Sequence, residues 1–599
     1  MKLSDFINKG NERRYIFFAG KGGVGKSTMS CAAALWAAKT GKKTLLVTTD
    51  TASNLSDIFE MSIGNKLTQV LPNLTAIEID PKESAKKYRE HAEKYFRTQF
   101  SGAKLNAILE ELKSPCVEEV AALNEFISYF GKEEFEIIIF DTAPSGHTLR
   151  LLELPGSWSM ELSKEGYTCI GPNDTLQEDR INYEKAVAVL QNTSKTMFVF
   201  VTSPEKISVE ETKRAMHELE KISIKTGSII INGVIPDSVR SGALSDNKKK
   251  QEESMMNLRE NFPGEVIEYP LLPRDANGLD QVSTIAENIF QEKSIEFEEE
   301  EFTPLKTEDH PPDEIIKNFL EPTKSTRYLF IMGKGGVGKS TIASIMAYHQ
   351  SKNSHKTLLV TTDPADHLTK IFDTDAEVKV VNENLHLANI DTKRAHEEYK
   401  KNKLQEMMDK MHANINVELT KKKIEEELNS PCAEEVAYFE KFMSYFDIED
   451  YDFIIFDTAP TGHTLRMLEL PSEWNDFAGA DDKTENRYKK IIETMRDKEQ
   501  TSFAFVTLPE YTPMMEASRA SKELNRFVGI NTSFVVINKV LSEKAENWFI
   551  NERIEQQNEY IHKIKELFGV PIVTMPYMGY EPIGLSGLDE SSKKLFREV

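Results

Sequence analysis

The chain spells one nine-residue stretch twice, Gly20-Lys21-Gly22-Gly23-Val24-Gly25-Lys26-Ser27-Thr28 and Gly333-Lys334-Gly335-Gly336-Val337-Gly338-Lys339-Ser340-Thr341. Both copies fit the phosphate-loop pattern G-x-x-x-x-G-K-[ST]. In that pattern backbone N–H groups of the glycine-rich loop wrap the phosphates, the lysine (Lys26, Lys339) reaches the β- and γ-phosphates, and the hydroxyl (Ser27, Ser340) holds Mg2+. A short pattern can arise by chance, but here each copy follows an apolar, β-prone run and precedes a long helical stretch. The runs are Tyr15-Ile16-Phe17-Phe18-Ala19 and Tyr328-Leu329-Phe330-Ile331-Met332. That order places each bound phosphate on a helix N-terminus.

The repeat extends far beyond the loop. Leu45-Leu46-Val47-Thr48-Thr49-Asp50 returns as Leu358-Leu359-Val360-Thr361-Thr362-Asp363. Asp141-Thr142-Ala143-Pro144 returns as Asp457-Thr458-Ala459-Pro460, Phe200-Val201-Thr202 as Phe505-Val506-Thr507, and Ile231-Asn232 as Ile537-Asn538, all in the same order. At 599 residues the chain is too long for a single core. It reads as a first half over 1–291 and a homologous second half over 326–599. Between them, 292–325 is acidic and broken by prolines, which suggests a solvated linker with a short helix at Asp313–Leu320. Within each half, short Ile, Val and Phe runs (Glu136–Phe140, Met197–Thr202, Ser228–Ile231) alternate with charged helical stretches. That alternation predicts an α/β fold, a mostly parallel sheet flanked by helices. The charged insertions Lys82–Lys113 and Arg394–Asn429 predict a helical subdomain beside each sheet.

Charge and cysteine usage narrow the function. Lys and Arg number 74 against 97 Asp and Glu, a net charge of -23. Such a balance argues against nucleic acid or an anionic membrane as the binding partner. Only 4 cysteines are present, too few for a disulfide framework and in keeping with a reducing cytoplasm. No run of ~18 apolar residues occurs, so the expectation is a chain with no transmembrane segment of its own, whose membrane role would need a partner.

Asp50 and Asp363 end an apolar strand, where a carboxylate can act as general base by orienting the attacking water. Asp141 and Asp457 end Ile137-Ile138-Ile139-Phe140 and Phe453-Ile454-Ile455-Phe456, the position of a carboxylate that holds Mg2+. Asn232 and Asn538 each follow an Ile-rich strand and are candidates for reading the adenine edge. Ser114-Pro115-Cys116 and Ser430-Pro431-Cys432 each read as an N-cap, a first-turn proline and a cysteine. A helix N-terminus favours the thiolate, the form that binds soft ions. If the halves pack about a pseudo-twofold axis, Cys116 and Cys432 can approach each other across it. Cys31, in Ser30-Cys31-Ala32-Ala33, reads instead as a small buried hydrophobe.

Together these motifs resemble the arsenite-pump-driving ATPase family over nearly the whole chain. The lysine after the first loop glycine, Lys21 and Lys334, marks that family's deviant form of the Walker A loop, in which this residue reaches into the site of the paired half. The resemblance implies two phosphate-loop NTPase domains and ATP hydrolysis at two sites between them, with Lys21, Lys334, Asp50 and Asp363 catalytic. It implies stimulation by arsenite or antimonite, As(III) or Sb(III) being both allosteric ligand and transported ion. It further implies that Cys169 is a third thiol and that His147, His463 and Ser430 are additional metalloid ligands. The expected partners are a membrane arsenite efflux protein, which would hold the chain peripherally at the membrane, and an arsenic metallochaperone. A related class, the targeting ATPases for tail-anchored membrane proteins, shares the motifs but needs a Met-rich apolar groove. Met407, Met408 and Met411 fit that need, whereas Ser84–Lys113 has no methionine. A DNA-partitioning ATPase is disfavoured by the acidic balance and the lack of a basic patch.

Overall fold

The computed structural model describes residues 1–10, 12–49, 55–99, 101–102, 105, 109, 112, 116–142, 185–240, 242–276, 278–291, 293, 295, 297, 301–322, 325–362, 367–373, 380–410, 431–458, 482–542 and 544–598. The chain divides into two compact units, Met1–Glu300 and Glu301–Val599. The first unit contributes β1 (Arg14–Ala19), β2 (Thr44–Thr48), β3 (Thr68–Leu71), β4 (Leu74–Glu78), β5 (Ile137–Asp141), β6 (Thr196–Thr202), β7 (Thr226–Val234) and β8 (Glu265–Pro270). Across the sheet they run β3-β4-β2-β5-β1-β6-β7-β8. The second unit contributes β9 (Arg327–Met332), β10 (Thr357–Thr361), β11 (Val380–Asn382), β12 (Leu385–Asn389), β13 (Phe453–Asp457), β14 (Thr501–Thr507), β15 (Phe534–Val540) and β16 (Ile572–Pro576). Its order, β11-β12-β10-β13-β9-β14-β15-β16, is the same topology repeated. Among the described strands, β3 with β4 and β11 with β12 pair antiparallel, at one edge of each sheet, and the other pairs are parallel.

The central strands are buried along their whole length, which is why they read as unbroken apolar runs and not as alternating ones. Register puts Phe17 of β1 beside Phe140 of β5 and Phe198 of β6, with ring centroids 4.6 Å and 4.7 Å away. Phe330 of β9 repeats the arrangement between Phe456 and Phe503, at 4.6 Å each. Phe330 is fully buried. Phe330→Ala is therefore expected to destabilise the second unit by about 3–5 kcal/mol, measurable as a lowered denaturant midpoint, with a smaller shift from Phe330→Leu.

The helix after each phosphate loop shows why small residues matter. In Lys26–Lys39 the side chains of Cys31, Ala32, Ala33, Ala34 and Ala37 have no exposed surface. Such a helix is covered on most sides and carries no single apolar stripe. It packs against Leu279–Phe290, where Trp36 stacks on Phe290 at 5.6 Å. The described parts of the predicted helical insertions are helices, Pro81–Gln99 and Thr392–Lys410. Pro81–Gln99 packs on Cys116–Ser128, and Thr392–Lys410 on Pro431–Ser444.

The segment between the halves behaves differently from a solvated linker. Asp313 Oδ1 accepts from Ile316 N at 3.0 Å and caps the short helix Glu314–Asn318, as composition suggests. Just before it, however, the backbone is strapped along the second unit. Leu305 N donates to Asn551 Oδ1 and Glu308 N to Asn558 Oδ1, each at 2.8 Å, and His310 N donates to Thr574 Oγ1 at 2.9 Å. The donors are all backbone N–H groups; two acceptors are amide side chains of the helix Trp548–Phe568 and the third is the Thr574 hydroxyl of β16. Such pairing leaves no hydrophobic period in the sequence.

Candidate functional site

In each sheet the chain passes from its first strand to one side and later crosses to the other, so the loops after β1 and β5, and after β9 and β13, open at a switch point beside the first strand. Ligands of open α/β sheets bind at this place. The phosphate loops lie there because β1 and β9 lead directly into them.

Steric constraints account for the loop glycines. A Cβ on Gly20 would lie 2.2 Å from the carbonyl oxygen of Val201 in β6, and one on Gly333 would lie 2.3 Å from that of Val506 in β14. Gly25 and Gly338 hold φ of +88° and +90°, and a Cβ on either would lie 2.3 Å from an asparagine amide nitrogen, that of Asn232 or Asn538. Each loop is thus wedged between a neighbouring strand end and an asparagine. Gly25 and Gly338 then cap the helices Lys26–Lys39 and Lys339–Lys352, leaving first-turn N–H groups available to an anion. Ser27, Thr28, Ser340 and Thr341 stand in those first turns.

The charged residues converge on the loops. Lys26 and Lys339 are 5% and 6% exposed, and Lys339 Nζ folds back to donate to Lys334 O at 3.0 Å. Asp141 and Asp457 are buried at the ends of β5 and β13. Ser27 Oγ donates to Asp141 Oδ2 at 2.6 Å, so the loop hydroxyl and the strand-end carboxylate meet. In the second unit Asp457 Oδ2 accepts instead from Thr361 Oγ1 at 3.2 Å. Thr142 and Thr458, directly after these aspartates, donate to Phe18 O and Ile331 O at 2.8 Å and 2.9 Å. They tie the end of the carboxylate strand to the strand that feeds the loop.

Asn232 and Asn538 lie within β7 and β15, not after them. Each donates its amide to a loop carbonyl, Val24 O or Val337 O, at 2.9 Å. Their visible role is to brace the loop. Lys21 Nζ donates to Glu211 Oε1 at 3.0 Å, and Lys334 makes the equivalent ion pair with Glu516. Sequence reasoning did not single out these two glutamates. The available signal was that Glu211 follows Thr202 at the same spacing as Glu516 follows Thr507.

Cys116 is the first residue of the helix Cys116–Ser128 and Cys432 the second of Pro431–Ser444, so both stand in a first helical turn. Cys31 is fully buried in the loop helix. Burial, and then the nearby Asp141 carboxylate, raise its thiol well above the usual range, which leaves it a neutral packing group. Asp50, Asp363, His147, Cys169, Ser430 and His463 lie outside the described residues, as does Met411. Among the described residues no helix is long and apolar enough to cross a membrane.

Residues 13–291, 326–480 and 475–597 match the sequence profile of a family described as anion-transporting ATPase. A Halobacterium salinarum protein whose name includes the words arsenical pump-driving ATPase is 43% identical, over 97% of this chain and 94% of its own length. The arsenical pump-driving ATPase of Acidiphilium multivorum is 32% identical over 96% of this chain and 98% of its own. A shorter relative, ATPase ASNA1 homolog 1 of Paramecium tetraurelia, is 31% identical over 47% of this chain and 94% of its own.

Proposed function

The chain belongs to the anion-transporting ATPase family and is an ATPase, and we propose that it hydrolyses ATP at one site in each half, 1–291 and 326–599, to drive arsenite or antimonite efflux through a membrane partner. The observation that carries the hydrolytic part is the meeting of Ser27 with Asp141 at 2.6 Å beside a glycine-capped helix. A hydroxyl and a carboxylate oxygen at that spacing are a donor set of the kind hard Mg2+ takes, so Ser27 and Asp141, with Ser340 and Asp457 in the second unit, would hold the ion. The chemistry such an ion would supply there is neutralisation of charge on the phosphate oxygens.

The protein's own groups supply the rest. Lys26 and Lys339, almost wholly withdrawn from water, meet the β- and γ-phosphates with a charge that water screens little. Loop N–H groups fix the phosphates for in-line attack. Asp50 and Asp363 orient the attacking water. Lys21 and Lys334 neutralise the charge that develops on the transferring phosphoryl group in the opposite half's site. Asn232 and Asn538 brace the loops and offer their remaining amide edge to adenine.

The metalloid part is supported by Cys116 and Cys432, which stand in the first turns of the equivalent helices Cys116–Ser128 and Pro431–Ser444. Cys169, His147, His463 and Ser430 complete the proposed ligand set. Metalloid binding draws the halves into the arrangement in which the signature lysines act, and the efflux protein holds the chain at the cytoplasmic side of the membrane, where a metallochaperone donates the ion. Antimonite retention tests this directly. After gel filtration, elemental analysis is expected to find antimony on the wild-type chain and at least about tenfold less on Cys116→Ser/Cys432→Ser. Equal antimony on both proteins would remove these thiols from the site.

A further inference from the structure

Each signature lysine is held by a carboxylate of its own unit. Lys21 Nζ lies 3.0 Å from Glu211 Oε1, with the side chains 23% and 22% exposed. Lys334 pairs with Glu516, at 17% and 6%. Glu211 belongs to the helix Lys206–Lys221 after β6, and Glu516 to Tyr511–Glu523 after β14. The contact follows from the sheet order. β6 lies next to β1, and the first loop glycine is pressed against the Val201 carbonyl, so the residue after that glycine is delivered to the helix that β6 feeds. The residues around the two glutamates differ, Val209-Glu210-Glu211-Thr212 against Met514-Met515-Glu516-Ala517, yet the pair is made in both units. A carboxylate as buried as that of Glu516 is costly unless a cation compensates it, and Lys334 supplies that cation.

We propose that Glu211 and Glu516 are positioning residues that hold the signature lysines in a resting arrangement, so that hydrolysis requires each ammonium to exchange its carboxylate for the γ-phosphate. This rests on the reading that Lys21 and Lys334 act in hydrolysis. An ammonium already neutralised by a carboxylate has little field left for a developing phosphate charge, so the ion pair lowers the basal rate. No bond is made or broken in the exchange; one ion pair replaces another. The more buried pair, Lys334–Glu516, releases its lysine less readily, and the two units differ in basal rate accordingly.

The test uses the full chain with Glu211→Gln and Glu516→Gln, which keep shape and remove charge. Basal kcat is expected to rise roughly three- to tenfold, the size set by one partly buried ion pair, while KM for ATP stays within about twofold. In Glu211→Gln, acylation of Lys21 by an amine-reactive ester, read by peptide mass spectrometry, rises with it. A basal kcat that is unchanged or lowered in Glu211→Gln overturns the proposal whatever the acylation shows. Glu211 is the more exposed of the two, so Glu211→Gln decides alone if Glu516→Gln does not fold. Lys21→Ala run in parallel separates the two claims. If it lowers kcat while Glu211→Gln does nothing, only the holding role fails; if Lys21→Ala also does nothing, the hydrolytic reading of the lysine fails.

Discussion

Asp141→Asn combined with Asp457→Asn is expected to lower kcat by about 10²- to 10³-fold, about 2.7–4 kcal/mol at 1.36 kcal/mol per decade. Asparagine keeps the volume and the capacity to accept from Ser27 or Thr361 but removes the charge. Both aspartates are buried, at 0% and 1% exposure, so water cannot replace the lost carboxylate. Phosphate release at saturating ATP and Mg2+ measures the effect. A loss smaller than about tenfold would place these carboxylates away from the chemistry. The tie from the Thr142 hydroxyl to Phe18 O does not involve the aspartate side chain and survives the substitution, so a large loss reports the charge and not a displaced strand.

Lys21→Ala combined with Lys334→Ala is expected to lower kcat by about 10²-fold while ATP affinity changes by no more than about threefold. The asymmetry has a structural origin. On the proposed reading, the buried Lys26 and Lys339 would contribute to ground-state binding of the phosphates. Lys21 and Lys334 are paired with Glu211 and Glu516, so on the same reading they would add little to the bound ground state and act when charge develops. Equal losses in affinity and turnover would make them ordinary binding residues. Fluorescent-nucleotide titration together with steady-state kinetics separates the two outcomes.

The parts of this architecture that depend on local chemistry were legible from the chain. Phe17 and Phe330 sit in apolar runs long enough to mark central parallel strands, and the two loops announce their strand–loop–helix setting by their glycines. The repeat of those motifs in the same order marked two homologous units in one chain, and the family resemblance added the expectation that their sites pair. What escaped is what depends on side chains meeting across large sequence separations. Glu211 is one of several carboxylates on an amphipathic, solvent-facing helix, and nothing in its neighbours distinguishes it from a solvated surface residue. Asn232 could be placed near the nucleotide, but only the fold shows its amide turned onto Val24 O. The strap at 305–310 was hidden because backbone-to-amide hydrogen bonds carry no periodicity. The edge strands β3 and β11 are short and half-exposed, which leaves little hydrophobic pattern to read.

In the proposed function, cysteines at two matching helix starts govern hydrolysis at two phosphate loops. The measurement that tests it most directly is the steady-state ATPase rate of the purified chain with and without antimonite, for the wild type and for Cys116→Ser/Cys432→Ser. A several-fold rise is expected in the wild type and no rise in the variant. No rise in the wild type, or the same rise in the variant, would contradict it.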